Sequence, residues 1–194
     1  MFKRVKGIII APKNEWTAIK GESTPCVKLF IGYVLPLSLI LAIAAFIGYG
    51  IVGYNFMGVH FHSIGLGIRQ AIVQWVAVVG GTFLTAAIIN LLADTFGAKK
   101  NYDNAFALVA YSYTPMFVAG IFYLLPSISW LAMLAGLYGL YILYLGMKPM
   151  MEVPAEKNTV YFVVSLIATI VVTGVLMAVL GTIIIGSSMM QGGF

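Results

Sequence analysis

Charge is scarce in this chain of 194 residues: Asp, Glu, Lys and Arg make up 9% of it, against 61% hydrophobic residues, where an ordinary soluble domain is roughly 25% charged. A water-soluble globular fold is excluded, because no core of this size can hide so much apolar surface. One cysteine, Cys26, excludes an internal disulfide. Only six residues are acidic, and none lies well inside a long apolar run, so paired intramembrane carboxylates are lacking. Two histidines, His60 and His62, have no Cys, Asp or Glu nearby to complete a zinc set. His-Glu-x-x-His, a P-loop and a glycine-flanked serine with a base are all missing. No catalytic residue, cofactor or metal is therefore expected. The start Met1-Phe2-Lys3-Arg4-Val5-Lys6 has the charge of a secretion signal, but the apolar stretch Ile8 to Ala11 stops at Pro12, too short for a cleavable one.

Long apolar runs are what the chain has instead. They extend from about Leu29 to Tyr54, Ala71 to Leu92, Ala105 to Leu125, Ser127 to Met147 and Val160 to Ile185. Each can cross a hydrocarbon core of about 30 Å, which takes roughly 20 helical residues. In lipid every backbone amide must be bonded internally, and helices do this segment by segment. The expected fold is an all-α integral membrane protein: residues 1–27 as an N-terminal segment, then residues 28–194 as a five-span domain.

Ten of the eleven basic residues fall in the N-terminal segment or beside the second and fourth connections, and only Arg69 lies on the opposite side. This asymmetry predicts a cytoplasmic N-terminus and an outside C-terminus. All six acids share the basic side. The basic excess therefore serves orientation and anionic headgroups, and nucleic acid is not an expected partner.

Before the first span, Phe2, Val5 and Ile9 share a helical face while Lys3, Arg4 and Lys6 can reach headgroups, the pattern of an interfacial amphipathic helix. Pro12 suits a first helical turn, and Pro12, Trp16 and Ile19 then recur at i, i+4 and i+7. That spacing places the indole at the water boundary, as an anchor or as a partner contact. Leu125-Pro126-Ser127 leaves room only for a tight hairpin between the third and fourth spans. Small-residue faces (Ala44 and Gly48; Ala132, Ala135, Gly136 and Gly139; Gly174, Ala178 and Gly181) allow close helix contact and permit self-association.

Candidate site residues lie on two spans. Tyr111-Ser112-Tyr113-Thr114-Pro115 predicts a kink, since Pro115 removes an amide donor, and the Ser112 and Thr114 hydroxyls are placed to re-satisfy the freed backbone. The alternative use of this segment is a polar cleft or hinge. In the second span Gln70, Gln74, Gly81 and Thr85 fall within about 60° of one another, with Asn90 and Asp94 roughly opposite. Asp94 precedes Gly97, a left-handed helix stop, and Lys148 is its expected partner if it is drawn inward.

Several of these segments together resemble a known family. They are Pro12-x-x-x-Trp16-x-x-Ile19, Phe96-Gly97-Ala98-Lys99-Lys100-x-Tyr102, the run from Ala105 to Pro115, Leu137-Tyr138-x-x-Tyr141-x-x-Tyr144-Leu145-Gly146, and Pro154-x-x-Lys157. In order and spacing they are similar to the bacterial branch of the Yip family, the Ypt- and Rab-interacting membrane proteins. The resemblance implies a five-span domain with a cytoplasmic N-terminus and, for the bacterial branch, a place in the cell (inner) membrane. Eukaryotic members act in membrane traffic and bind Rab-type GTPases. This chain lacks their long N-terminal region and the Asp-Leu-Tyr-Gly-Pro motif, so no GTPase contact carries over to a residue here. The expected function is a non-enzymatic membrane-organising or adaptor role, with lipids and other membrane proteins as partners. The alternative is a small transporter or channel for an ion or apolar solute.

Overall fold

The structure is a computed structural model that describes residues 1–22, 24–56 and 59–191, with side chains described for 1–22, 24–54 and 61–175. Two short helices, α1 (Phe2–Ile10) and α2 (Pro12–Glu22), precede five long ones: α3 (Cys26–Val52), α4 (Ile64–Leu92), α5 (Tyr102–Leu124), α6 (Leu131–Met151) and α7 (Asn158–Gln191). All five long helices contain an apolar stretch of membrane-crossing length. Polar side-chain caps start α4 and α5. The Ser63 hydroxyl accepts the Leu66 amide (3.1 Å) and the Asn101 side chain accepts that of Asn104 (3.1 Å). Asp103 accepts the Cys26 amide across helices (2.8 Å), tying the first turn of α3 to that of α5. Gly97 ends the α4 side of its connection with φ +69°, the left-handed stop expected there.

Glycines set how closely the helices approach. A Cβ on Gly67 would lie 2.6 Å from Gly50 Cα, one on Gly48 1.9 Å from the Tyr123 carbonyl oxygen, and one on Gly139 2.7 Å from that of Ser112. Backbones therefore touch at three crossings, α3 with α4, α3 with α5, and α5 with α6. Helix α5 forms the centre: every residue from Ala105 to Ser112 is buried. Ile167, Ile170, Val171 and Val175 on α7 are more than half exposed, the lipid-facing side of a span.

The N-terminal helices form an antiparallel hairpin laid along the wall of the bundle. Lys20 of α2 pairs with Glu152 just beyond α6 (3.4 Å). The Trp16 indole N–H donates to the Ile142 carbonyl (3.1 Å), and the Tyr138 hydroxyl donates to the Ile9 carbonyl (2.7 Å). At 1.5 Å per residue, Ile142 and Tyr138 lie ~13 and ~20 Å along α6 from Met151. The turn at Ala11–Pro12 is thus level with the middle of the span. Arg4 differs from expectation: it turns into the hairpin toward Glu15 and Glu22, and Phe2 is exposed while Ile8 is fully buried.

Span boundaries shift from those expected. Helix α6 starts at Leu131, after a 3-10 turn at Pro126–Ile128, so the outer connection is longer than three residues. Helix α4 begins at Ile64 because its cap is Ser63, well before the apolar run starts. A two-stranded hairpin, β1 (Tyr54–Phe56) with β2 (Val59–Phe61), pairs antiparallel in the loop between α3 and α4. The side chains of His60, Ala178 and Gly181, and the C-terminal Phe194, lie outside the described residues.

Candidate functional site

Aromatic and polar groups converge where the hairpin meets α3 and α5. The Tyr111 ring is edge-on to Tyr33 (centroids 4.9 Å apart) and to Trp16 (6.3 Å). The Tyr33 hydroxyl and Thr114 Oγ1 share a buried hydrogen bond of 2.7 Å. Trp16, 1% exposed, sits in a seat opened by Gly146: a Cβ there would lie 2.4 Å from the indole Cε2. The Trp16 stripe is thus inside the protein and not at the water boundary. Pro12 and Ile19 are buried with it. An indole buries up to ~250 Å², and its one polar atom is bonded here, which offsets the cost of desolvating it.

Arg4 closes the cluster from α1. Its guanidinium carbon lies 5.8 Å from the Tyr111 ring centroid, within cation–π range. It forms ion pairs with both Glu15 and Glu22, which stand two turns apart on α2. Gly7 lets the Glu15 carboxylate lie against α1, since a Cβ there would overlap it. Burial works to lower the Arg4 pKa, but its hydrogen bond to Glu22 and the charges of Glu22 and Glu15 outweigh that and raise it. The guanidinium is therefore permanently charged, and its two carboxylates supply the compensation a partly buried cation needs. Between α1 and α3 a cleft of about 250 Å³ opens beside this group, with Lys28, Gly32, Tyr33 and Tyr111 on its walls.

A second polar cluster joins the hairpin to the ends of α5 and α6. Glu152 adopts a left-handed conformation (φ 51°), unusual outside glycine. There its carboxylate meets both Lys20 (3.4 Å) and Lys99 (3.7 Å). The Lys99 amide donates to the Met151 carbonyl (2.7 Å), and the Asn104 amide group donates to that of Met150 (3.1 Å). Two of the last carbonyls of α6 are thereby satisfied by the α4–α5 connection and the first turn of α5.

The candidate residues read from the sequence do not share one pocket. The α-helical hydrogen-bonding pattern breaks at Tyr113, and Pro115 opens the next helical stretch, Thr114–Ala119, which agrees with a kink. The hydroxyls, however, do not repair it as expected: Ser112 bonds back to the Leu108 carbonyl (2.7 Å), and Thr114 is taken by Tyr33. Thr85 bonds to the Tyr113 hydroxyl (3.2 Å), Gln74 lies beside Tyr123, and Gln70 is half-buried. Asn90 keeps a buried Oδ1 without a partner. Asp94 is exposed and pairs with Lys100 (3.2 Å), not Lys148. Among the described residues no metal-ligand cluster occurs.

The Yip1 domain model matches residues 6–189. The chain belongs to the Yip1 family. It is 25% identical over 183 residues to the inner membrane protein YohC of Escherichia coli K12, and equally to the YohC of Escherichia coli O6:H1. The matches cover 91% of this chain and 93% of each relative. No solved structure matches. With its five spans, this Yip1 family member is a multi-pass inner-membrane protein.

Lys28, Tyr33, Gly146 and Glu152 were not read from the sequence as site residues, and Arg4 was read as reaching headgroups. For Arg4 the signal was available: Glu15 and Glu22, seven residues apart on a helix that follows a Pro12 turn, face back toward it. For Gly146 only the tertiary contact with Trp16 reveals its role.

Proposed function

We propose that this protein is a non-catalytic membrane-organising adaptor whose N-terminal hairpin and adjoining loops form the surface that partners recognise. The observation that carries this reading is the anchoring of the hairpin at three levels of α6 by Tyr138, Trp16 and Lys20. Such anchoring presents Lys3, Lys6 and Lys13 outward beside exposed Phe2 and Ile10 as a fixed, preorganised face. Fixing a surface before binding lowers the ordering cost of a complex. The basic side of the bundle is its cytoplasmic side by the positive-inside rule.

The polar groups of α4 and α5 support this reading over transport. Thr85–Tyr113 and Thr114–Tyr33 are closed pairs between neighbouring helices, the arrangement that holds spans together. Photo-crosslinking from positions 3, 6 and 13 in native membranes tests the proposal. Partners should be recovered reproducibly and lost in Trp16→Ala, which releases the hairpin. Recovery of the protein alone, or partners indifferent to Trp16, would count against it. Solute flux in proteoliposomes that vanishes in Gln74→Leu would favour the transporter instead.

A further inference from the structure

The cleft between α1 and α3 has the chemistry of a lipid site. Arg4, Thr24 and Lys28 line it together with Gly32, Tyr33 and Tyr111. Its volume of about 250 Å³ is roughly eight times the ~30 Å³ share of a liquid water, room for a phosphate with its glycerol. No carboxylate lines it. Lys28 makes no ion pair among the described residues, and two of the five donors of Arg4 go to Glu15 and Glu22, which leaves others for an anion. Lys28 stands in the first turns of α3, at headgroup level, while Gly32 lies one turn deeper with nothing within 4 Å of where its Cβ would be. Gly32 thus leaves an open track down the helix from the cations. Helix α3 is locally π-helical over Phe30–Val34, along that same wall, and π segments recur at functional sites.

We propose that this cleft binds the phosphate headgroup of an anionic phospholipid, with Arg4 and Lys28 on the phosphate and an acyl chain laid over Gly32. The open space at Gly32 beside the two cations favours a lipid over free phosphate, whose charge gains nothing from an apolar track. The site shares α1 with the adaptor surface through Arg4, but the two readings are tested apart. It stands or falls on lipid retention by the purified chain, whereas the adaptor reading depends on partner recovery from membranes.

The test measures thermal stability and lipid retention by native mass spectrometry for the full-length protein in detergent, with added phosphatidylglycerol, phosphatidylcholine or inorganic phosphate. Phosphatidylglycerol should be retained and should raise Tm, and phosphatidylcholine and phosphate should do neither. Lys28→Glu, at an exposed position, should weaken phosphatidylglycerol binding by about tenfold or more, the loss of one charge-assisted bond, and Lys28→Arg should restore it. Gly32→Leu should block the acyl track and lower retention without lowering the lipid-free Tm. Equal retention of both lipids, or unchanged phosphatidylglycerol binding in Lys28→Glu and Gly32→Leu, would overturn the proposal. Phosphate alone that stabilises as well as phosphatidylglycerol would overturn the lipid assignment and make this a free-phosphate site.

Discussion

Gly146→Ala should unseat Trp16, and the effect can be worked out from the contacts. The new methyl would lie 2.4 and 2.5 Å from two indole carbons and 2.7 Å from Leu108 Cδ1, where carbon atoms prefer ~3.5–4.0 Å. An indole retreat of about 1 Å takes its N–H from 3.1 Å to beyond hydrogen-bonding range, a net loss of ~0.5–1.5 kcal/mol. Overpacking adds ~1–3 kcal/mol. Alanine's better helix propensity returns ~1 kcal/mol. Gly136→Ala, on the same helix with open space around its Cβ, shares the propensity gain without the clash. The difference between the two variants should therefore be ~1.5–4.5 kcal/mol, the sum of the packing and hydrogen-bond losses. Denaturant titration in detergent micelles followed by circular dichroism reads the stability. Trp16 emission and quenching, with Trp75 and Trp130 replaced by Phe, reads the indole's position. If both variants agree within ~0.5 kcal/mol, the usual span of neutral changes, and Trp16 stays shielded from quencher, the seat does not exist as described.

Other outcomes are as specific. Thr114→Val leaves the buried Tyr33 hydroxyl without its partner and should cost ~1–3 kcal/mol. Adding Tyr33→Phe should recover part of that, so the double-mutant cycle should show coupling; strict additivity would refute the pair. Arg4→Gln should release α1, read as faster proteolysis or amide exchange over residues 2–10. Arg4→Lys should not fully restore protection, because one ammonium cannot reproduce a fork reaching two carboxylates. Asp94→Asn should change stability by no more than ~0.5 kcal/mol, as an exposed ion pair contributes little. Reporter fusions should place the N-terminus and Phe194 on opposite sides of the membrane, with the N-terminus inside, and a shared side would overturn the charge-based orientation.

The fold class was legible in the sequence because backbone solvation in lipid leaves few options. Uninterrupted apolar runs specify helices whatever they pack against, and Ser63, Asn101 and Gly97 act locally at helix ends. Helix boundaries were less legible: the expected start of the fourth span missed the extra 3-10 turn at Pro126–Ile128, since both conformations satisfy an apolar loop equally well.

The candidate site divides in the same way. Pro115 removes an amide donor wherever it stands, so the break near Tyr113 could be read from residue type alone. Which hydroxyl answers it could not: Thr114 turns to Tyr33, far away in sequence, and Ser112 to Leu108. The amphipathic N-terminal pattern left two choices open, since a surface of lipid headgroups and a wall of helices both accept an apolar stripe. Tertiary structure chose the wall, because Gly146 leaves a space that an indole fills and Ile142 offers its N–H a carbonyl. The sequence by itself determined that five spans cross the membrane and which end carries the charge, through solvation and composition. Only the three-dimensional packing decided where Arg4, Trp16 and Tyr111 meet, since shape complementarity between distant segments has no local signature.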